Sequence, residues 1–361
     1  MTAEPWIVRG YEQMILFGTG YQHQLLYALN FCIGGYGAWF ISRFSYKTRL
    51  LDRPSERSSH EISTPKGGGV GILAAFVLSS LVLKFPYAFI LSAVMVSLVS
   101  FYNDSHGLSP RLRLSIQFVA ALVLISSASS AAMPSTPAPL SCLIAFFLAI
   151  PLMFFMVGTA NFYNFMDGIN GMAAITGVMA FGFMAVYGSQ GNLLVMPAND
   201  PRVVLAICLS FSCLGFLPFN VPKARVFMGD VGSILLGFVF AGMMITFPLT
   251  LLDFVCMGSF LFLFYTDELT TMAIRLRDGE SLTQPHRRHL YQLLANEWRI
   301  PHWKVSLGYG AVQGLIGWTV LILRPYGVMA VLSFLAFCFL GFLFVSHYVR
   351  RRPVPNRCDV S

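Results

Sequence analysis

Three aspartates, Asp104, Asp167 and Asp230, each stand at the end of a long apolar stretch. An isolated anion there is costly, so each marks a functional position. Hard oxygen donors of this kind suit magnesium, which takes one or two carboxylates and fills its shell with water and substrate phosphates. Manganese accepts the same donors. Lys66, Arg287 and Arg288, with His286 and His289, add cations that complement phosphate charge. Phosphoryl transfer between two anionic reactants needs that combination, because the charges must be neutralised while the reactants are held in line. The glycine run in TPKGGG (64–69) would let the backbone approach a phosphate.

The elements that position these residues belong in lipid. Of 361 residues, 56% are hydrophobic and 11% charged, and mean hydropathy is +0.67, whereas soluble domains are about a quarter charged. A window of roughly 17 to 25 apolar residues per span gives eleven spans, near 25–42, 70–84, 86–102, 113–132, 140–159, 171–187, 203–219, 232–248, 251–273, 305–323 and 326–348. The fold expected is all-α and polytopic, a single membrane domain over 1–361 without internal repeats.

Lysine and arginine gather in cytoplasmic loops. Alternate loops hold 20 of the 24 basic residues, leaving Arg9, Lys84, Arg202 and Arg324 to the other class. This predicts an outer N-terminus and a cytoplasmic C-terminus. It also accounts for the net charge of +8 without nucleic acid, since the basic residues sit in short loops between apolar runs. The polar motifs fall on the same side: RPSERSSHEISTPKGGG (53–69), YNDSHGLSPRLR (102–113), NFYNFMDGINGM (161–172), FNVPKARVFMGDVGS (219–233) and TDELTTMAIRLRDGESLTQPHRRHLYQ (266–292). Catalytic loops are expected at about 43–69, 103–113, 160–171, 219–232 and 274–304.

Other polar residues have simpler explanations. Cys32, Cys142, Cys208, Cys213, Cys256 and Cys338 lie in apolar runs without CxxC pairing, so neither disulfides nor zinc is supported. Arg43, Lys47 and Arg49 suit anionic headgroups. Asp267 and Glu268, near the inner end of a span, either line the site or pair with Arg275 or Arg277, the pairing being favoured, and His23, His106, His302 and His347 are expected to serve packing or the interface. Glu4 and Glu12 break the order of a cleaved leader, so the N-terminus is expected to stay.

Taken together, Asn103-Asp104, NxxNxxDGxNG at 161–171, FMGDVGS at 227–233 and HRRH at 286–289 resemble the polyprenyl-phosphate N-acetylhexosamine-1-phosphate transferases (glycosyltransferase family 4). The likeness covers about residues 50 to 295. The long layout and HRRHLYQ look more like the branch that initiates O-antigen or related surface glycans than the muramoyl-pentapeptide branch. The resemblance implies a magnesium-dependent bacterial inner-membrane enzyme with its site facing the cytoplasm. Undecaprenyl phosphate would attack the β-phosphorus of a UDP-N-acetylaminosugar, giving undecaprenyl-diphosphate-sugar and UMP. It implies Asp230 as the direct metal ligand, Asp104 as preparing the lipid phosphate or assisting the metal, and Asn161, Asn164, Asp167 and Asn170 as the nucleotide and active-site loop. It further implies Asn220 and Phe227 near uracil, and His286, Arg287, Arg288 and His289 on the diphosphate, with Lys66 as a looser substrate contact. Homodimers are common in the superfamily and carry over as an expectation.

Two departures stand out. The family usually has Asp-Asp where this chain has Asn103-Asp104, and Asn103 cannot take a proton. A phosphate monoester is largely ionised near neutrality, with a second pKa of about 6, so a dedicated base is dispensable and restoring aspartate at 103 should preserve or raise the rate. Asn170 also replaces a frequent aspartate. The rival readings are a secondary transporter, disfavoured by the absence of repeats and of midplane charges, and a catalytically impaired relative.

Overall fold

The computed structural model describes residues 20–45, 50–52, 63–132, 138–189, 199–247, 250–282, 284 and 286–351. Arg9, Lys47, Arg49, Arg53, Arg57, Arg352, Arg357 and the N-terminal glutamates lie outside the described residues.

Within lipid each peptide group must be satisfied inside the protein, which favours helices, and the chain is built accordingly. In order come α1 (Gly20–Phe44), β1 (Leu51–Asp52), β2 (Thr64–Pro65), α2 (Val70–Val82), α3 (Tyr87–His106), α4 (Pro110–Ala132), α5 (Ala138–Phe165), α6 (Met172–Ser189), α7 (Pro201–Phe216), α8 (Asp230–Thr246), α9 (Leu251–Gly258), α10 (Phe262–Arg277), α11 (Leu290–Gln292), α12 (His302–Leu323) and α13 (Val328–Arg351). Seven described helices are long and apolar enough to cross a membrane, namely α1, α3, α4, α6, α7, α12 and α13. α2 and α8 are shorter apolar helices of 13 and 17 residues. With α5 and the α9–α10 segment, every expected span has a helical counterpart.

α8 organises the bundle. Its residues from Val231 to Met244 are buried all round, the pattern of a helix enclosed by protein, and α3 and α5 pack along it. α1 packs on α7 through small residues: a Cβ on Gly34 would lie 2.2 Å from the Ser212 carbonyl oxygen, so only glycine permits this approach.

Three boundaries differ from the sequence reading, and each matters for the site. α3 runs to His106, so Asn103 and Asp104 occupy its last turn and are not in a loop. α8 starts at Asp230, placing that carboxylate in the first turn. The span expected at 251–273 is broken, with a 3-10 turn at Ser259–Leu261 between α9 and α10. Gln313 of α12 closes the break: its Oε1 accepts from Leu263 N (3.1 Å) and its Nε2 donates to Ser259 O (2.9 Å).

At the end of the bundle remote from Asp230, two carboxylates are fully engaged. Asp253 accepts from Tyr187 Oη (2.5 Å), Thr250 N (3.0 Å) and Thr250 Oγ1 (2.6 Å), and Arg324 Nη2 lies 3.6 Å away. Asp200 binds Arg202 through Nε (3.0 Å) and Nη2 (2.8 Å), and Arg202 Nη1 donates to Thr246 O (3.0 Å).

Candidate active site

The opposite end of α8 gathers the sequence motifs. Gly229 precedes Asp230 with φ +75°, and a Cβ there would lie 2.7 Å from Asp104 Oδ2, so this glycine lets α3 and the α8 N-terminus meet. Asn103 bridges them: its Nδ2 donates to Asp230 Oδ2 (2.9 Å) while its Oδ1 accepts from Leu108 N (2.8 Å). Two cations lie alongside. Lys66 Nζ is 3.7 Å from Asp104 Oδ1, and Arg113 Nη2 of α4 is 3.3 Å from Asp230 Oδ2. Asp104 is buried and its Oδ2 has no hydrogen-bond partner, whereas Asp230 keeps a solvent-facing edge.

Lys66 is fixed by its backbone. β2 pairs antiparallel with β1, Lys66 N donates to Leu50 O (2.8 Å), and Lys66 forms a parallel bridge with Phe227. Phe227 is thereby held with its ring part-exposed. The glycine run does not form the phosphate cradle expected of it. Gly68 N and Gly69 N donate to Phe227 O and Met228 O at 2.9 Å each, and a Cβ on Gly69 would meet Gly232 Cα at 2.5 Å. These glycines pack backbone on backbone.

The loop after α5 carries Asp167. Hemmed in by protein although part of its surface stays accessible, its carboxyl is pushed well above the usual range by burial and then by the charges of Asp230 and Asp104. Its neighbours brace the loop. Asn164 Oδ1 accepts from Ser233 Oγ (2.7 Å); Asn161 Nδ2 donates to Gln117 Oε1 (2.6 Å) and Val157 O (2.7 Å). Asn170 Nδ2 donates to Pro222 O (3.3 Å), and its carbonyl accepts from Ser306 of α12 (2.8 Å). Buried Asn220 accepts from Gly171 N (2.5 Å) and donates to Val226 O (2.9 Å), so its amide ties the two loops together.

The histidine motif forms a second wall. His289 is buried, with Nε2 3.3 Å from Glu268 Oε2 and Nδ1 3.7 Å from Asp267 Oδ1. Asp267 also accepts from Leu290 N (2.8 Å), Tyr291 N (3.3 Å) and Tyr309 Oη (2.8 Å). The expected pairing of Asp267 and Glu268 with Arg275 or Arg277 is therefore replaced by pairing with the histidine loop, while Arg275 binds Glu280 (3.2 Å). The His286 ring lies 4.8 Å from that of His289. Burial, His289 and Arg275 lower its pKa to about 4, leaving it neutral near pH 7. Arg287 is half-buried. The Arg288 guanidinium is occupied by Asp278 (2.5 Å) and Glu280. Tyr291 joins the two walls: its hydroxyl donates to Phe165 O (2.9 Å) and lies where a Cβ on Gly168 would be.

This donor set fits magnesium in one manner. Among the described residues no group of three or more His, Cys, Asp or Glu could hold an ion by protein ligands alone. The orphaned Asp104 oxygen beside Asp230 instead suits a hydrated ion that shares its shell with substrate phosphates. Chemically, the arrangement can neutralise and align phosphate groups between a cationic floor and the histidine wall. Gln117 and Tyr309 join the site without having been singled out from sequence, whereas Arg113, Glu268 and Tyr291 lie within the quoted motifs but had been assigned no partner in the site. Only the i, i+4 placing of Arg113 and Gln117 on α4 hinted at a shared polar face.

Residues 86–248 match glycosyl transferase family 4. The chain is similar to the probable undecaprenyl-phosphate N-acetylglucosaminyl 1-phosphate transferase of Bacillus subtilis, at 29% identity over 55% of each chain, so that match spans about half the relative's length. It is similar to the phospho-N-acetylmuramoyl-pentapeptide-transferase of a Geobacillus species, at 27% identity over 74% of this chain and 88% of the relative. The decaprenyl-phosphate N-acetylglucosaminephosphotransferase of Mycobacterium leprae is 29% identical over 67% of this chain and 69% of the relative. The two branches stand at nearly equal identity.

Proposed function

Because this chain belongs to the superfamily of polyprenyl-phosphate N-acetylhexosamine-1-phosphate transferases and the muramoyl-pentapeptide transferases, we propose that it transfers an N-acetylaminosugar 1-phosphate from a UDP-sugar to undecaprenyl phosphate. The observation that carries the reading is the meeting of Asp104, Asp230, Lys66 and Arg113 at the α8 N-terminus, with Asp167 close enough to feel both carboxylates. We place the reaction on the cytoplasmic face of a bacterial inner membrane, at the start of O-antigen or related glycan synthesis.

A lipid phosphate oxygen bonds to the β-phosphorus while the bond from that phosphorus to the oxygen bridging to the α-phosphate breaks, and UMP leaves with that oxygen. Lys66 and Arg113 lower the charge barrier between the two anions. Asn103 holds Asp230 in place and takes no proton. Asp104 and Asp230 would hold magnesium, which when bound offsets diphosphate charge. Neutral His286, buried His289 and Arg287 face the diphosphate, and Arg288 reaches it only by leaving Asp278 and Glu280. Phe227 offers a ring to uracil, while Asn161, Asn164, Asn170 and Asn220 hold the loops around it.

The test is UMP release by purified protein given undecaprenyl phosphate, magnesium and a panel of UDP-N-acetylaminosugars, including GlcNAc, FucNAc and QuiNAc donors, with no-lipid and chelated controls. Lipid-dependent and magnesium-dependent release from one donor supports the reading and names the sugar. Silence across the panel overturns it in favour of an impaired relative, for which Asn103 is the supporting observation.

A further inference from the structure

α13 is the most lipid-exposed of the long apolar helices described, with 11% of its apolar window buried. Its last turn is different. Ser346 and Val349 are buried there, and Arg350 turns towards the site. Arg350 Nε donates to Ser346 Oγ (3.1 Å), and Nη2 donates to the main-chain oxygen of Arg288 (2.6 Å). Thr271 Oγ1 of α10 also reaches that oxygen at 3.4 Å. The next residue is His289, and the amides that follow it are held by Asp267. The peptide carrying the histidine motif is thus gripped from two directions: Asp267 of α10 takes its N–H groups, and Arg350 of α13, with a longer contact from Thr271, takes its carbonyl.

We propose that Arg350 is a positioning residue for His289, a proposal that rests on the sugar-phosphate transfer reading. A basic residue that serves membrane orientation alone could be lysine, and its neighbour Arg351 would share the work. The geometry here uses the guanidinium as a fork. Ser346 fixes Nε, which aims Nη2 at the carbonyl, and lysine has no second nitrogen for that purpose. The contact is a charge-assisted hydrogen bond, a class worth more than a neutral one.

The experiment uses full-length purified Arg350→Ala, Arg350→Lys and Arg351→Ala. UMP release is measured with kcat and the KM of each substrate resolved, together with amide hydrogen exchange at Leu290 and Tyr291 without substrate. Arg350→Ala is expected to lower kcat about tenfold or more, the loss typical of a hydrogen bond to a charged group. The KM for lipid and the melting temperature should hold, and exchange at both amides should speed up. Arg350→Lys should recover part of the rate, and Arg351→Ala should match wild type. Wild-type kcat and exchange in Arg350→Ala would overturn the proposal, as would an equal loss in Arg351→Ala. If the wild type releases no UMP from any donor, the transfer reading fails on its own, and the exchange measurement still decides whether Arg350 holds the loop.

Discussion

Asp253, at one end of the bundle, receives hydrogen bonds from Tyr187 and from two groups of Thr250, and Arg324 lies 3.6 Å away. Asp104, at the other end, keeps one oxygen without a partner, and its nearest cation stands off at 3.7 Å. Both are buried carboxylates in a lipid-embedded protein, where an unpaired charge is expensive. The first network is closed and has no capacity left for a ligand. The second is open at one oxygen, although the Val231 and Asp230 amides at the start of α8 reach its carboxyl group, and under the proposed function that oxygen is left for a hydrated ion or a phosphate group. Satisfaction, and not mere burial, separates the carboxylates that hold the fold from those set aside for chemistry.

Substitution at each end should break different quantities. Asp230→Asn is expected to cut UMP release by about a hundredfold or more while leaving a monodisperse protein with an unchanged melting profile. Asp253→Ala should do the reverse: it takes the carboxylate from Arg324 and Tyr187, which keep only their cation–π contact with each other, costs about 3 kcal/mol, and keeps turnover per folded molecule. Loss of activity without loss of stability in Asp253→Ala would erase the distinction between the ends.

Asp167 sharpens the contrast, because its folded pKa is raised. Between the ordinary carboxylate value and the raised one, the folded state retains a proton that the unfolded state has released. Stability therefore falls as pH rises through that window, and at neutral pH the residue costs stability. Asp167→Asn should melt roughly 2 °C higher or more while transferring sugar phosphate poorly. A lower melting point would show that the charge is stabilised after all.

Asn103→Asp is the next smaller effect. The family resemblance favours a preserved or raised rate, but the geometry opposes it, since the change replaces a donor on Asp230 Oδ2 with a second anion. A fall in kcat/KM of about tenfold is expected, and a rate at or above wild type would return the family mechanism intact.

The smallest effect concerns His286. Its pKa is lowered to about 4 from 6.5, so as pH falls from 6.5 towards 4 the unfolded state gains a proton first and stability declines. Melting temperature measured across that range should show a shallower slope in His286→Gln than in wild type.

Much of this was legible in the chain. The order of Asp104, Asp167, Asp230 and HRRH, and the bias of basic loops, pointed to one polar surface on a helical membrane protein, because lipid permits few alternatives to helices. Pairing across the bundle was not legible. Arg113 meets Asp230, Arg350 meets the Arg288 carbonyl, and Tyr309 meets Asp267 only because particular helices pack together, and periodicity does not report which neighbours a helix will have. The glycine run misled for a related reason. A glycine that admits a phosphate and one that admits another backbone look the same in sequence, and Gly68 and Gly69 proved to be the second kind.

The break between α9 and α10 bears on how the protein is made. The Leu263 N–H freed there donates to Gln313, which lies 50 and more residues further along and also donates to the Ser259 carbonyl, an oxygen that Phe262 N reaches within the turn. Synthesis runs from the N-terminus, so this segment reaches the bilayer before the side chain that completes it. Until α12 arrives, the Leu263 N–H lacks its final partner in a medium that offers no water. The break in this segment and α12 therefore complete one another only when both are in place, a dependence that rests on one glutamine.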